Sequence, residues 1–313
     1  MRIITKTLAA SLLGLLATVA LSVQAQSTLT QPRFLSLAPP EGLPIIPVFE
    51  GWTANEDGTT SYSFGIINRN DVAVDIPVGE NNYIEPARYD GVQPGHFPAG
   101  RSTGVFTVTV PNSERGTDVW WNIKTGNADV LKVPGRHGIG AYELDFIRPR
   151  PQGALQPLVG IGEDGSQLAG LYAQIADYPG GTVEVGEQVE LVVNATDPAV
   201  RDTSDPRFGE PLDMNVAFNK WQGPGNVTFT RHESTEVPEN PYPEDSPRHG
   251  FWEEPMANEL TIGGPSGEAR VYATFDTPGD YVISTKVDIH TAPDSSDGDQ
   301  CCWTNVYQRV TVE

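Results

Sequence analysis

From residue 44 onward the apolar residues of this chain recur at every second position in short runs, and glycine, proline or asparagine closes each run. A period of two places side chains alternately on the two faces of an extended strand. Ser61–Asn68 is such a run, with Tyr62, Phe64 and Ile66 on one face. Val105–Val110 is the clearest, with Phe106, Val108 and Val110 together before Pro111 and Asn112 stop it. The 32 glycines and 27 prolines are spread along the chain as punctuation. Sustained 3.6-residue periodicity is missing after the first 25 residues. Many short strands closed by turns predict an all-β protein of antiparallel sandwiches.

The first 25 residues are the exception. Arg2 and Lys6 precede an apolar run from Leu8 to Leu21, and Val23-Gln24-Ala25 offers a small-x-small cleavage site. This is the pattern of a secretory signal peptide, which predicts cleavage after Ala25 and residence in the periplasm or outside the cell. Residues 26–43 read as a tether. At about 150 residues per domain, the remainder suggests two domains. Residues 44–150 are expected as a first sandwich, 151–180 as a glycine-rich linker with room for a short helical or strand piece from Leu168 to Ala176, and 181–313 as a second sandwich. In the first, Val119–Ile123 and Tyr142–Phe146 are expected strands, with Trp120 and Trp121 on opposite faces.

The formal net charge is −21. Nucleic-acid phosphates are met by Lys and Arg, so nucleic acid is not an expected partner. No segment after the leader is long and apolar enough to predict membrane insertion. The chain contains no Gly-x-Ser-x-Gly elbow, no His-Glu-x-x-His and no phosphate loop. Glu80 and Glu85 could pair as glycosidase carboxylates do, but their spacing does not fix a separation.

Three features remain as candidate sites. The first is the insertion from Arg231 to Pro255, rich in proline, acidic and aromatic residues, where Tyr242, His249, Phe251 and Trp252 could form a platform for a sugar ring or a partner surface. The second is a pair of acidic loops, Asp197, Asp202 and Asp205 in one, Asp294, Asp297 and Asp299 in the other. In an immunoglobulin-like domain both emerge at one end, where their oxygens could hold calcium. No other cofactor is expected. The third is Cys301-Cys302, the only cysteines. A vicinal disulfide, two free thiols packed beside Trp303, and a metal or redox role compete as readings.

Gly186-Glu187 before an alternating strand, Trp221 on a later strand, and Ala273-Thr274-Phe275 running into Pro278-Gly279-Asp280-Tyr281 give the last 130 or so residues a recognisable outline. This half resembles the bacterial immunoglobulin-like and PKD-type sandwich domains. It departs from them at Trp221–Gly225, where that family carries an acidic turn. The resemblance implies that the Tyr281 hydroxyl bonds back to the corner that precedes it. The whole chain also looks like secreted bacterial proteins ending in a Cys-Cys-Trp-Thr-Asn segment. The expected function is a non-enzymatic structural or binding protein that meets a glycan or another surface protein. A carbohydrate-active accessory protein and a calcium-stabilised adhesion protein are the alternatives.

Overall fold

In the computed structural model the described residues are 42–144, 155–200, 204, 212–289 and 303–313. Eight strands make the N-terminal half: β1 (Ile46–Ala54), β2 (Thr60–Asn68), β3 (Val74–Asp75), β4 (Asn82–Glu85), β5 (His96–Phe97), β6 (Gly100–Val110), β7 (Val119–Ile123) and β8 (Leu131–Gly135). Two three-stranded antiparallel sheets, β1-β2-β6 and β4-β7-β8, face each other, and β3 and β5 form a separate ribbon. Tyr62, Phe64, Phe106, Val108 and Trp121 are all buried between them. Trp121 is fully buried, whereas Trp120 on the other face is only partly covered.

The turn-rich stretch after Gly79 is ordered by one side chain. Asn82 donates to the carbonyls of Ile76 (2.9 Å) and Pro94 (2.6 Å) and accepts the Trp121 indole N–H (2.9 Å). Asn82→Leu would strand all three groups. Each buried unmet group costs roughly 1–3 kcal/mol, so the urea midpoint should fall by an amount equivalent to about 3 kcal/mol or more.

The expected strand Tyr142–Phe146 is different. Gly140–Tyr142 is a 3-10 turn, and Glu143 makes only an isolated bridge to Trp52. Tyr142 stacks on Phe49 instead, with centroids 5.7 Å apart. Asp145 and Phe146 lie outside the described residues.

The C-terminal half has nine strands: β9 (Leu158–Ile161), β10 (Gln174–Asp177), β11 (Gln188–Thr196), β12 (Met214–Gln222), β13 (Val227–Arg231), β14 (Glu259–Ile262), β15 (Ser266–Phe275), β16 (Gly279–Asp288) and β17 (Trp303–Val312). One sheet runs β13-β15-β11-β9 and the other β10-β17-β16-β12-β14. All pairs are antiparallel except β10 with β17. The first order, together with β12, β16 and β17 side by side, is the strand arrangement of an immunoglobulin sandwich. Val189, Leu191, Val216, Phe218, Val271, Phe275, Ile283 and Val306 fill its core. The corner matches expectation. The Tyr281 hydroxyl donates to Thr277 O (2.8 Å) and accepts from Gly225 N (3.1 Å). Tyr281→Phe keeps the ring and removes both bonds, and should cost about 1–2 kcal/mol, read as a lower chemical-denaturation midpoint.

The stretch 151–180, expected as a linker, supplies β9 and β10, one edge strand of each sheet. Gly160 explains why the pattern is faint. A Cβ there would stand 2.2 Å from Gly165 O, so glycine interrupts an apolar run that is nonetheless a strand.

Trp221 stands on β12 as the resemblance places it, yet its ring leaves its own sandwich. The β12–β16 register slips between Lys220 and Gln222, where a bulge re-aims the side chains. The Trp221 ring packs in the N-terminal core with Phe106, and Tyr307 from β17 joins it there. Lys220, with its side chain 4% exposed, reaches Asp75 Oδ2 at 3.1 Å. Burial raises the Asp75 pKa, but bonds from His96 and Lys220 overcome that and hold it below the usual value. Gly95 N donates to Trp221 O (2.7 Å), and Gln222 Nε2 donates to Gln93 O (2.7 Å). Beside this junction Gly104 lies flat against the Trp303 ring. Residues Leu43–Glu313 accordingly form one compact unit.

Candidate functional site: the insertion of the C-terminal sandwich

The segment between β13 and β14 is a long connection of residues 232–258, held at both ends. At its start Arg231 donates to Pro255 O (2.8 Å) and so ties the entry to the exit. At its end Asn258 Nδ2 donates to Phe218 O (2.6 Å), and Phe218 N donates back to Asn258 O (3.0 Å). Its middle is cross-braced. Asn240 Oδ1 accepts from Tyr242 N (3.0 Å), Asn240 Nδ2 donates to His249 O (3.1 Å), and His249 Nδ1 donates to Tyr242 O (2.8 Å). Two of the four platform residues are thus brought together, through the Tyr242 backbone. Phe251 stands apart at the end of a short 3-10 turn, 86% exposed, and the adjacent Trp252 is partly covered. Val237 and Met256 of the same insertion are also exposed.

A charged network pins the insertion to the outer face of the β13-β15-β11-β9 sheet. Arg270 on β15 bonds Glu190 (2.7 Å), Glu163 (2.6 Å) and Glu268 (2.5 Å). These bonds raise its already high pKa further. His232 Nδ1 accepts from Ser234 N (3.1 Å), which leaves Nε2 to donate; that atom lies 3.4 Å from Glu190 Oε1 and 3.7 Å from Glu233 Oε2. The Tyr272 hydroxyl donates to Glu233 (2.8 Å). Glu233 is held below the usual carboxylate range by its own backbone N–H and by Tyr272, and the same bond raises Tyr272. Each charge here is already spent on a neighbour, and the network orients the insertion rather than offering a reactive group.

Between the insertion and the sheets runs a groove of about 820 Å³. Thr235, Glu236 and Pro238 form one wall, and Val216, Leu260 and Ala269 of the sandwich form its floor. Sequence reasoning singled out the aromatic residues of the insertion but missed the groove. Its floor is made of core residues that stay buried, Val216, Leu260 and Ala269, beneath the point where β13 ends, and no local pattern announces that.

Of the acidic loops only Asp197 is among the described residues. It is buried, and its Oδ1 accepts from Ala199 N (2.9 Å), closing its own turn. Asp202, Asp205, Asp294, Asp297, Asp299, Cys301 and Cys302 lie outside the described residues. Among the described residues no group of three His, Cys, Asp or Glu side chains is placed to hold a metal ion, and no helix is long and apolar enough to cross a membrane. Glu80 and Glu85 are both exposed.

No family model matches the chain, and no curated protein matches it. Among solved structures it is similar to the ASH / PapD-like domain 7 of human CEP192, at 12% identity and a TM-score of 0.26, over 56% of this chain and 97% of that one. It is also similar to Dpr2 Ig1-Ig2 in complex with DIP-Theta Ig1-Ig3, at 13% identity and a TM-score of 0.17, over 86% of this chain and 99% of that one. Likeness at this level carries no argument, and the immunoglobulin-like description rests on the strand order given above.

Proposed function

We propose that this chain is an exported, non-enzymatic binding protein whose contact surface is the insertion of its C-terminal sandwich. Export is proposed from Arg2, Lys6 and the apolar run to Leu21. Membership of the PKD-type sandwiches and of the secreted proteins ending in Cys301-Cys302-Trp303-Thr304-Asn305 belongs to the same proposal. The observation that carries the reading is Phe251. It is a large apolar side chain, 86% exposed, on a segment cross-braced by Asn240, His249 and Tyr242. A braced loop that presents apolar groups to solvent is a contact surface waiting for a partner. The ordering entropy is already spent before binding, which favours affinity.

The test pairs retention with turnover on glycan and peptide arrays. Retention without product release is expected. Phe251→Ser should weaken it by about tenfold, the effect of a modest aromatic hot spot, and leave the melting temperature unchanged. Product release abolished by a single Glu substitution would overturn the reading in favour of a carbohydrate-active enzyme.

A further inference from the structure

The two edges of β15 are treated differently. On one side β11 pairs with it from Gln188 opposite Thr274 to Thr196 opposite Ser266. On the other side β13 pairs only from Val227 opposite Phe275 to Arg231 opposite Val271. There the insertion turns away, and Ser266–Arg270 has no strand on that side among the described residues. Thr235 Oγ1 donates to Arg270 O at 3.4 Å, a long bond, so the Arg270 carbonyl faces the open side. In a strand the N–H and C=O of one residue point the same way and alternate residues repeat it. Glu268 and Ser266 therefore face the open side as well. An edge of this kind is a template for one more strand.

The geometry points to an extended, basic strand of a partner protein pairing in antiparallel fashion with Ser266–Arg270 beneath the insertion. The edge is about 13 Å long at 3.3–3.4 Å per residue, enough for five residues. The added strand would continue the line of β13, and its main chain would replace the weak Thr235 contact. Its inward side chains would lie on Val216, Leu260 and Ala269, which are core residues that also line the groove. That calls for small or branched apolar residues at alternate positions. Its charged side chains would meet Glu236 and Glu259 at the rim of the groove. The two arginines of the groove have acidic partners of their own, Arg270 bonding three glutamates and Arg231 lying 3.8 Å from Glu254 Oε1. Lysine or arginine is the complement. A second copy of this chain is disfavoured at the same site by a net charge of −21 on each molecule.

This inference rests on the binding-protein reading and names the partner of the groove. The probe is an acetylated, amidated heptapeptide of alternating lysine and valine, followed by calorimetry and by amide hydrogen exchange on the full chain. Binding is expected to slow exchange of the Glu268 and Arg270 amides by tenfold or more. Backbone N-methylation of the peptide should abolish it, as should replacement of its lysines by glutamate. Glu236→Lys with Glu259→Lys should weaken it at least tenfold without lowering the melting temperature. No binding at millimolar peptide, binding indifferent to N-methylation, or binding that leaves those two amides unchanged would each overturn the inference. Protection of the same amides by self-association without peptide would overturn the choice of partner. If the peptide fails while Phe251-dependent retention on the arrays persists, only the strand pairing falls. If both fail, the binding-protein reading falls with it.

Discussion

Trp221→Ala is expected to destabilise the unit Leu43–Glu313 by about 3–5 kcal/mol, the cost of removing a large aromatic side chain from a packed core. The ring is 6% exposed and belongs to one sandwich by chain and to the other by packing. It meets Phe106 edge-on at 6.3 Å and Tyr307 at 5.2 Å. Losing it removes one of the two rings, with Tyr307, through which the C-terminal half fills the N-terminal core. Calorimetry should therefore show more than a lower melting temperature. A single transition should separate into two, with the N-terminal half, whose core loses the ring, melting first. Trp120→Ala supplies the comparison, because that ring is only partly buried and stacks under Lys132. Its effect should stay near 1 kcal/mol or below. Equal effects from the two tryptophans would show that the sandwiches do not rely on a common core.

Gly104→Ala should be nearly as damaging, from a change of one methyl group. Gly104 has φ +59, in the left-handed region, and an added Cβ would lie 2.5 Å from Trp303 Cε2 and Cζ2. The conformation costs an L-residue roughly 1–2 kcal/mol. Overpacking against a buried ring adds roughly 1–3 kcal/mol. The Gly104 backbone cannot move freely. Gly104 N donates to Glu50 (2.8 Å) and its carbonyl accepts from Asn305 Nδ2 (3.1 Å). The expected loss is about 2–5 kcal/mol, measured by denaturant titration. Gly58→Ala separates the two causes: that glycine has φ +83 but nothing within 4 Å of the new methyl, so only the conformational cost should appear. In the double variant Gly104→Ala with Trp303→Ala the losses should be less than additive, since the overlap vanishes with the ring. Strict additivity would place the cost of Gly104→Ala in the backbone alone.

The strands were legible where burial is one-sided. Phe106, Val108 and Val110 announce their inward face by alternation, and so do Leu191 and Val193 or Val271 and Ala273. The Tyr281 corner was legible because its turn chemistry is local. Residues 158–165 are not legible, because Gly160, Gly162 and Gly165 look like a linker until the close approach that requires Gly160 is seen. Tyr142 failed as a strand residue because its ring had a better partner in Phe49, far away in sequence. Alternation puts Trp221 on its strand but gives its ring no destination, since a bulge is a property of register between two strands rather than of either one. For the candidate site, composition pointed to the insertion and to Phe251. It could not indicate that β13 stops at Arg231 and leaves β15 exposed, because strand ends are set by pairing partners.

The tryptophan that crosses between the sandwiches also bears on inheritance. Immunoglobulin-like units are commonly shuffled, duplicated and lost as independent cassettes. A descendant of this gene that kept only the C-terminal half would display Trp221 and Tyr307 as an uncovered greasy patch. One that kept only the N-terminal half would carry a hole where those rings belong. Each fragment would lose part of a core, so the pair is expected to spread through genomes as a single unit, with both halves in the same order.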